Sequence, residues 1–201
     1  MTQLGFYFNQ TRCIGCHTCA VACKDWHDHQ DGGINWMQIR TIEKGVFPHL
    51  FLTFAAIPCF QCESPACMAV CPAGAISKRA TDGIVVVDRD KCLGRDTCEK
   101  TPCVKACPSR SPQFGFEENA KMQKCDFCLD RLDEGQQPVC VEACPMFALE
   151  IGVLNGLQKK YGGGKEAHGF RYSKKIKPAV VVTPKPEVYS NVYPPESGGQ
   201  T

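Results

Sequence analysis

Apolar and polar residues alternate from Leu4 to Phe8, a pattern that predicts a short strand, and Asn9-Gln10-Thr11 turns the chain out of it. Two more strands are expected at Ala75–Ser77 and Ile84–Asp88, joined by the turn residues Thr81-Asp82-Gly83. Trp36–Glu43 and Leu50–Ile57 read as the arms of a hairpin around Lys44-Gly45 and Pro48. Phe147–Ile151 and Ala179–Thr183 are the remaining strands. Short helices are expected over Thr18–Trp26 and Ala66–Val70, with another at Leu154–Tyr161 that ends at Gly162-Gly163-Gly164. Elements this short and mixed give an α+β class. No apolar run approaches the ~20 residues of a bilayer span, and the longest, Leu50–Ile57, falls well short. From Thr183 to Thr201 the chain is rich in proline and is expected to be extended.

Composition changes this picture. The apolar fraction is 43%, but 16 of the 201 residues are cysteine, so the remaining apolar side chains make a thin core. The cysteines form an internal repeat of four groups: Cys13, Cys16, Cys19, Cys23; Cys59, Cys62, Cys67, Cys71; Cys92, Cys98, Cys103, Cys107; and Cys125, Cys128, Cys140, Cys144. Every group ends in C-x3-C, and Pro72, Pro108 and Pro145 follow three of the last cysteines. The first group, C-x2-C-x2-C-x3-C, has the bacterial ferredoxin spacing for cubane iron–sulfur centres, with Lys24 in place of the usual proline. Sixteen thiolates, four to a centre, predict four 4Fe–4S clusters. The tight loop reaches three corners of a cluster, a helical turn carries the fourth cysteine away, and in two-cluster ferredoxins that cysteine serves the other cluster. The following proline breaks the helix. Strand, cluster loop, helix and strand-turn-strand make the plan of a two-cluster ferredoxin.

Two other readings of the cysteines are weaker. A disulfide scaffold suits an even count, but C-x2-C and C-x3-C pairs suit metal better. Structural zinc takes two pairs separated by a longer spacer, and only the fourth group, C-x2-C-x11-C-x3-C, looks so. The histidines, His17, His27, His29, His49 and His168, have no vacancy to fill among sixteen thiolates. His17 and Trp26 are expected instead to pack near a centre and control its access to solvent. Metal then forms part of the core, and the metal-free chain should fold poorly. There is no P-loop, no G-x-G-x-x-G between a strand and a helix and no nucleophile constellation.

The formal net charge is +2, but each loaded site adds about −2, which takes the loaded chain to about −6. That removes the electrostatic basis for binding nucleic acid. Seven basic residues flank the cysteines: Arg12, Lys24, Lys91, Arg95, Lys100, Lys105 and Lys124. Each is either solvated surface or an offset to cluster charge that raises a reduction potential. No signal peptide is read at the N-terminus.

At this point the residues resemble a known family. Gly5-Phe6-Tyr7-Phe8, Arg12-Cys13-Ile14-Gly15-Cys16-His17-Thr18-Cys19 and Ala22-Cys23-Lys24-Asp25 are similar to the four-cluster iron–sulfur subunit of the dimethyl sulfoxide reductase family. So are Cys67-Met68-Ala69-Val70-Cys71-Pro72-Ala73-Gly74-Ala75-Ile76, Gly83-Ile84-Val85-Val86-Val87-Asp88, Lys124-Cys125-Asp126-Phe127-Cys128 and Pro138-Val139-Cys140-Val141-Glu142-Ala143-Cys144-Pro145. The likeness covers roughly residues 4 to 151.

The resemblance implies a non-catalytic electron-transfer subunit placed between a molybdenum or tungsten bis-pterin catalytic subunit and a quinone-linked membrane anchor. It would lie peripheral to the cytoplasmic membrane, on the inner face or exported with a partner that bears a signal. It also implies a nested pairing of ligands: Cys13, Cys16, Cys19 with Cys144; Cys59, Cys62, Cys67 with Cys107; Cys92, Cys98, Cys103 with Cys71; and Cys125, Cys128, Cys140 with Cys23. Two nested bacterial-ferredoxin-like modules follow. Residues 1–50 and 111–153 make the outer one, with the insertion 27–50; residues 51–110 make the inner one; and 154–201 is an extension expected to wrap on a partner subunit. The third group departs from the family pattern. It reads C-x5-C-x4-C-x3-C, with Arg95 where a second cysteine would fall and Lys100-Thr101-Pro102 lengthening the loop. Its centre is therefore the least certain of the four and is expected to differ in potential from the others. A free-standing polyferredoxin is the alternative, which the cysteine-free Trp26–Pro58 segment and the tail disfavour. A redox sensor is another, but it needs only one centre.

Overall fold

The computed structural model describes residues 2–29 and 33–187. It is a small mixed fold of short elements: β1 (Leu4–Asn9), α1 (Thr18–Trp26), β2 (Gln38–Val46), β3 (His49–Ile57), α2 (Ala66–Ala69), β4 (Ile76–Lys78), β5 (Val85–Val87), α3 (Pro102–Ala106), α4 (Leu129–Asp133), α5 (Val139–Glu142), β6 (Leu149–Val153), α6 (Leu154–Tyr161) and β7 (Val180–Thr183).

Strand β1 is the central element. It pairs with β6 antiparallel, Phe6 opposite Ile151, and with β7 parallel, Phe6 opposite Val180. Both of its faces are covered, so Gly5 and Tyr7 are buried along with Phe6 and Phe8. Phe6 and Phe8 point into the main core with Cys19, Cys23, Phe127, Cys140 and Leu149. Tyr7, one residue out of phase, meets Leu154, Leu157, Ala179 and Val181 on the other side and stacks on Tyr161 at 3.6 Å. Helix α6 crosses so close to β1 that a Cβ on Gly5 would meet Leu154 at 2.8 Å.

Strands β2 and β3 form a nine-residue-per-arm hairpin, Gln38 opposite Ile57 and Val46 opposite His49. Lys44-Gly45 lies within β2, so the turn falls at Phe47-Pro48, later than its expected start. The tip residues Val46 and Phe47 are exposed, while Phe51, Ala55, Ala56 and Ile57 face inward. The second small hairpin, β4–β5, lies over a third core of Ile76, Val85, Cys103 and Met122. Helices α1 and α6 have the expected bounds. Strand β6 starts two residues late, because Phe147 takes a left-handed φ of 49° and turns the chain first. Helix α4 and the parallel β1–β7 pairing have no counterpart in the sequence reading. Of the C-terminal segment, α6 and β7 pack on the chain's own sheet. The proline-rich end from 188 onward lies outside the described residues.

Candidate metal centres

A C-x3-C step on a helix puts two thiols on one face, about 6 Å apart along the axis. In α1 this buries both Cys19 and Cys23, yet they open into different spaces. Cys19 lines a cavity with Cys13, Cys16 and Cys144. Cys23 lines another with Cys125, Cys128 and Cys140. The same division recurs in the inner segment. Cys67 shares a cavity with Cys59, Cys62 and Cys107, and Cys71 shares one with Cys92, Cys98 and Cys103. All sixteen cysteines thus fall, as free thiols, around four separate cavities.

The loops that present these thiols need special backbone. Gly15 has φ 69°, and a Cβ there would meet the Phe54 ring at 2.4 Å, so the hairpin packs directly on the first loop. His17, Thr101 and Cys128, each just before a helix, are also left-handed. Arg110 and Phe147 are left-handed too and turn the N–H groups that follow them toward sulfur. The amides of Ser111, Met122 and Ala148 reach Cys107, Cys92 and Cys144 at 3.4, 3.4 and 3.3 Å.

The cavity of the first group also takes its wall from Ile39 and Ala56 of the hairpin, and that of the fourth group from Phe6, Trp36 and Met37. The space at each, open solvent included, is about 340 Å3, and at the third group about 350 Å3. The longer third loop therefore does not enlarge its cavity. Its extra residues Lys100 and Thr101 take up a left-handed bend, φ 67° and 38°, instead. Arg95 turns away, donating to the Gly115 carbonyl at 2.8 Å and pairing with Asp96 at 3.3 Å. The second-group cavity is larger, about 550 Å3, and is capped by Phe170, Ser173, Ile176 and Pro178.

Burial dominates the chemistry of the thiols. It pushes Cys19 and Cys23 up to about 12 and Cys103 and Cys128 to about 11. Cys125 and Cys140, the most deeply buried, rise well above the usual thiol range. Neighbouring sulfurs add repulsion: Cys140 feels Cys128, Cys23 and Cys19, and Cys125 feels Cys23 and Cys59. Cys16 goes the other way, because Thr18 donates to its sulfur at 3.4 Å in an exposed position. Thiolates crowded in apolar pockets fit a polycationic core that takes up their charge. The four thiols of each set line one cavity, and among the described residues no group of three or more His, Cys, Asp or Glu is placed to hold a single metal ion.

His17 lines the first cavity, as expected, but Trp26 does not line any of the four. Its ring N–H goes to Asp130 at 2.7 Å, and Arg131 lies over its face at 4.4 Å. Beside Phe6 and Phe127, the fourth-group cavity is lined by His27 and Trp36, packed at 4.4 Å, with His27 Nε2 3.3 Å from Cys128 Sγ. Sequence spacing carries no signal for this pair.

Residues 50–154 match the model of the 4Fe–4S dicluster domain family. A chain of the anaerobic dimethyl sulfoxide reductase of Escherichia coli (strain K12) is 39% identical over 194 residues, 91% of this protein and 89% of that one. The thiosulfate reductase electron transfer subunit PhsB of Salmonella typhi is 39% identical over 167 residues, covering 80% and 81%. A subunit of the sulfite dehydrogenase of Allochromatium vinosum is 33% identical over 172 residues, covering 76% and 69%.

Proposed function

This protein belongs to the iron–sulfur electron-transfer subunits of the dimethyl sulfoxide reductase family, and on that premise we propose that it carries four 4Fe–4S clusters and relays single electrons between a molybdenum or tungsten bis-pterin catalytic subunit and a membrane quinone-linked subunit. The observation that carries this reading is the sorting of sixteen cysteines into four cavities of four. Those sets are the proposed ligands: Cys13, Cys16, Cys19, Cys144; Cys59, Cys62, Cys67, Cys107; Cys71, Cys92, Cys98, Cys103; and Cys23, Cys125, Cys128, Cys140. The proposed modules are residues 1–50 with 111–153 and residues 51–110, with 154–201 as an extension that meets a partner.

When bound, the clusters supply one-electron chemistry, and the protein supplies position and surroundings. The thiolates fix the centres at adjacent points of one fold. Cys125 and Cys59 interact across the boundary between the modules and Cys140 and Cys19 within the outer one, so the first-, fourth- and second-group cavities are neighbours, and Cys67 and Cys71, four residues apart, line the second- and third-group cavities. Phe6, Phe60, Phe127, Met122 and Ile76 keep water from the walls. Backbone N–H groups aimed at sulfur favour the thiolate and help to tune the potential. With no catalytic constellation of its own, the chain depends on its partner for substrate. No helix among the described residues is long and apolar enough to cross a membrane.

The test is iron and acid-labile sulfide on anaerobically purified protein, with EPR spectra taken during stepwise reduction. About sixteen of each per chain, with interacting cubane signals, is the expected result. Bound zinc with little iron would overturn the reading.

A further inference from the structure

Of the seven basic residues beside the cysteines, Lys124 alone is buried, at 3% exposure. It lines the cavity of Cys59, Cys62, Cys67 and Cys107. Its ammonium donates to the Val85 carbonyl and, at 3.0 Å, to that of Cys125, a residue of the neighbouring cavity. Gln61, fully buried between Cys59 and Cys62, closes the same joint. Its Nε2 donates to the Cys125 carbonyl and its Oε1 accepts from the Val85 amide, each at 2.9 Å. Lys124 thus stands where the two proposed modules meet, held in place from β5 and from the fourth cysteine group.

Both partners of the ammonium are neutral carbonyls, and among the described residues no carboxylate pairs with it. The contrast is Arg131, which is also buried but is paired with Glu142. A buried ammonium costs several kcal/mol unless a negative charge compensates it. Negative charge is on offer from the thiolates of the cavity that Lys124 lines, Cys67 among them. Burial and then Cys59 push the Cys67 thiol up to about 12, while Lys124 pulls it down.

We propose that Lys124 is a built-in counter-charge at the module joint, a positioning residue that raises the reduction potential of the centre held by Cys59, Cys62, Cys67 and Cys107. It rests on the reading that this cavity holds a cluster. A fixed positive charge favours the form that carries one more electron. The centre beside Lys124 then becomes the point where an electron crossing between modules is held most firmly. The six other flanking cations, exposed or only half-buried, are screened by water and act more weakly.

The experiment is an EPR-monitored redox titration of the anaerobically purified full chain, alongside Lys124→Gln, Lys124→Met and Lys124→Arg. Cys59→Ser assigns the relevant signal. Neutral substitution should move the midpoint of that centre to lower potential, leave the first- and third-group centres in place, and be reversed in Lys124→Arg. An unshifted midpoint at full iron content overturns the proposal, as does an equal shift in Lys124→Arg, which would indicate packing. If the neutral variants fail to retain the centre, its retention in Lys124→Arg alone still supports the charge, and its loss from all three variants overturns it. An unsubstituted chain that lacks the centre overturns the reading of the cavity itself, before any lysine is changed.

Discussion

Cys16 is the exposed thiol whose neighbours favour ionisation, and it should behave differently from the other cysteines. In the metal-free chain, limiting iodoacetamide at neutral pH should label Cys16 first, and peptide mass spectrometry reads the order. The buried thiols predict a pH effect of opposite character. Their folded pKa values are raised above the ordinary 9.0, so the contribution of the neutral thiols is fully present below pH 9. It is lost as pH rises toward about 12, and the structure that the metal-free chain retains, followed by circular dichroism, should melt away over that window. Gly15→Ala adds left-handed strain and a collision with Phe54, so it should cost about 1–3 kcal/mol and reduce iron retention, measured by thermal unfolding and iron content. The sixteen cysteines and their spacing were plain in the sequence because metal chemistry fixes residue type and interval. Which lysine matters was not, since Lys124 and Lys100 look alike until burial separates them.

At the scale of elements, local rules carried most where the chain's own neighbours decide the outcome. Helix α6 stops where Gly162 can take φ 81°, and α1 starts in the loop of the first cysteine group, so both had readable bounds. The partner of β1 did not. Val180–Thr183 is only an apolar run until it lies parallel to a strand more than 170 residues earlier, as the Tyr7–Thr183 hydrogen bond shows. Helix α4 escaped notice because its five residues carry no periodicity. Leu157 is the anchor between α6 and the sheet, at 3% exposure. Leu157→Ala should lower the stability of the loaded chain by about 2–5 kcal/mol in denaturant titrations.

For the whole molecule, loading changes the sign of the charge. The sequence isoelectric point is near 7.8, and four proposed centres at about −2 each should move the loaded chain well to the acid side on native isoelectric focusing. A basic shift, or none, would mean that the cysteines carry no such centres. The cavities also impose a timetable on synthesis. The proposed ligand set of Cys59 and Cys107 is complete when residue 107 leaves the ribosome, whereas in the proposed pairing Cys13, Cys16 and Cys19 wait for Cys144. At about 5–20 residues per second the first loop stands open for several seconds after the inner thiols are all in place. A nascent chain stalled between these points would expose its earliest thiols to oxygen and to stray metal. Maturation would therefore have to proceed from the middle of the chain outward, and the first residues translated would be among the last to be secured.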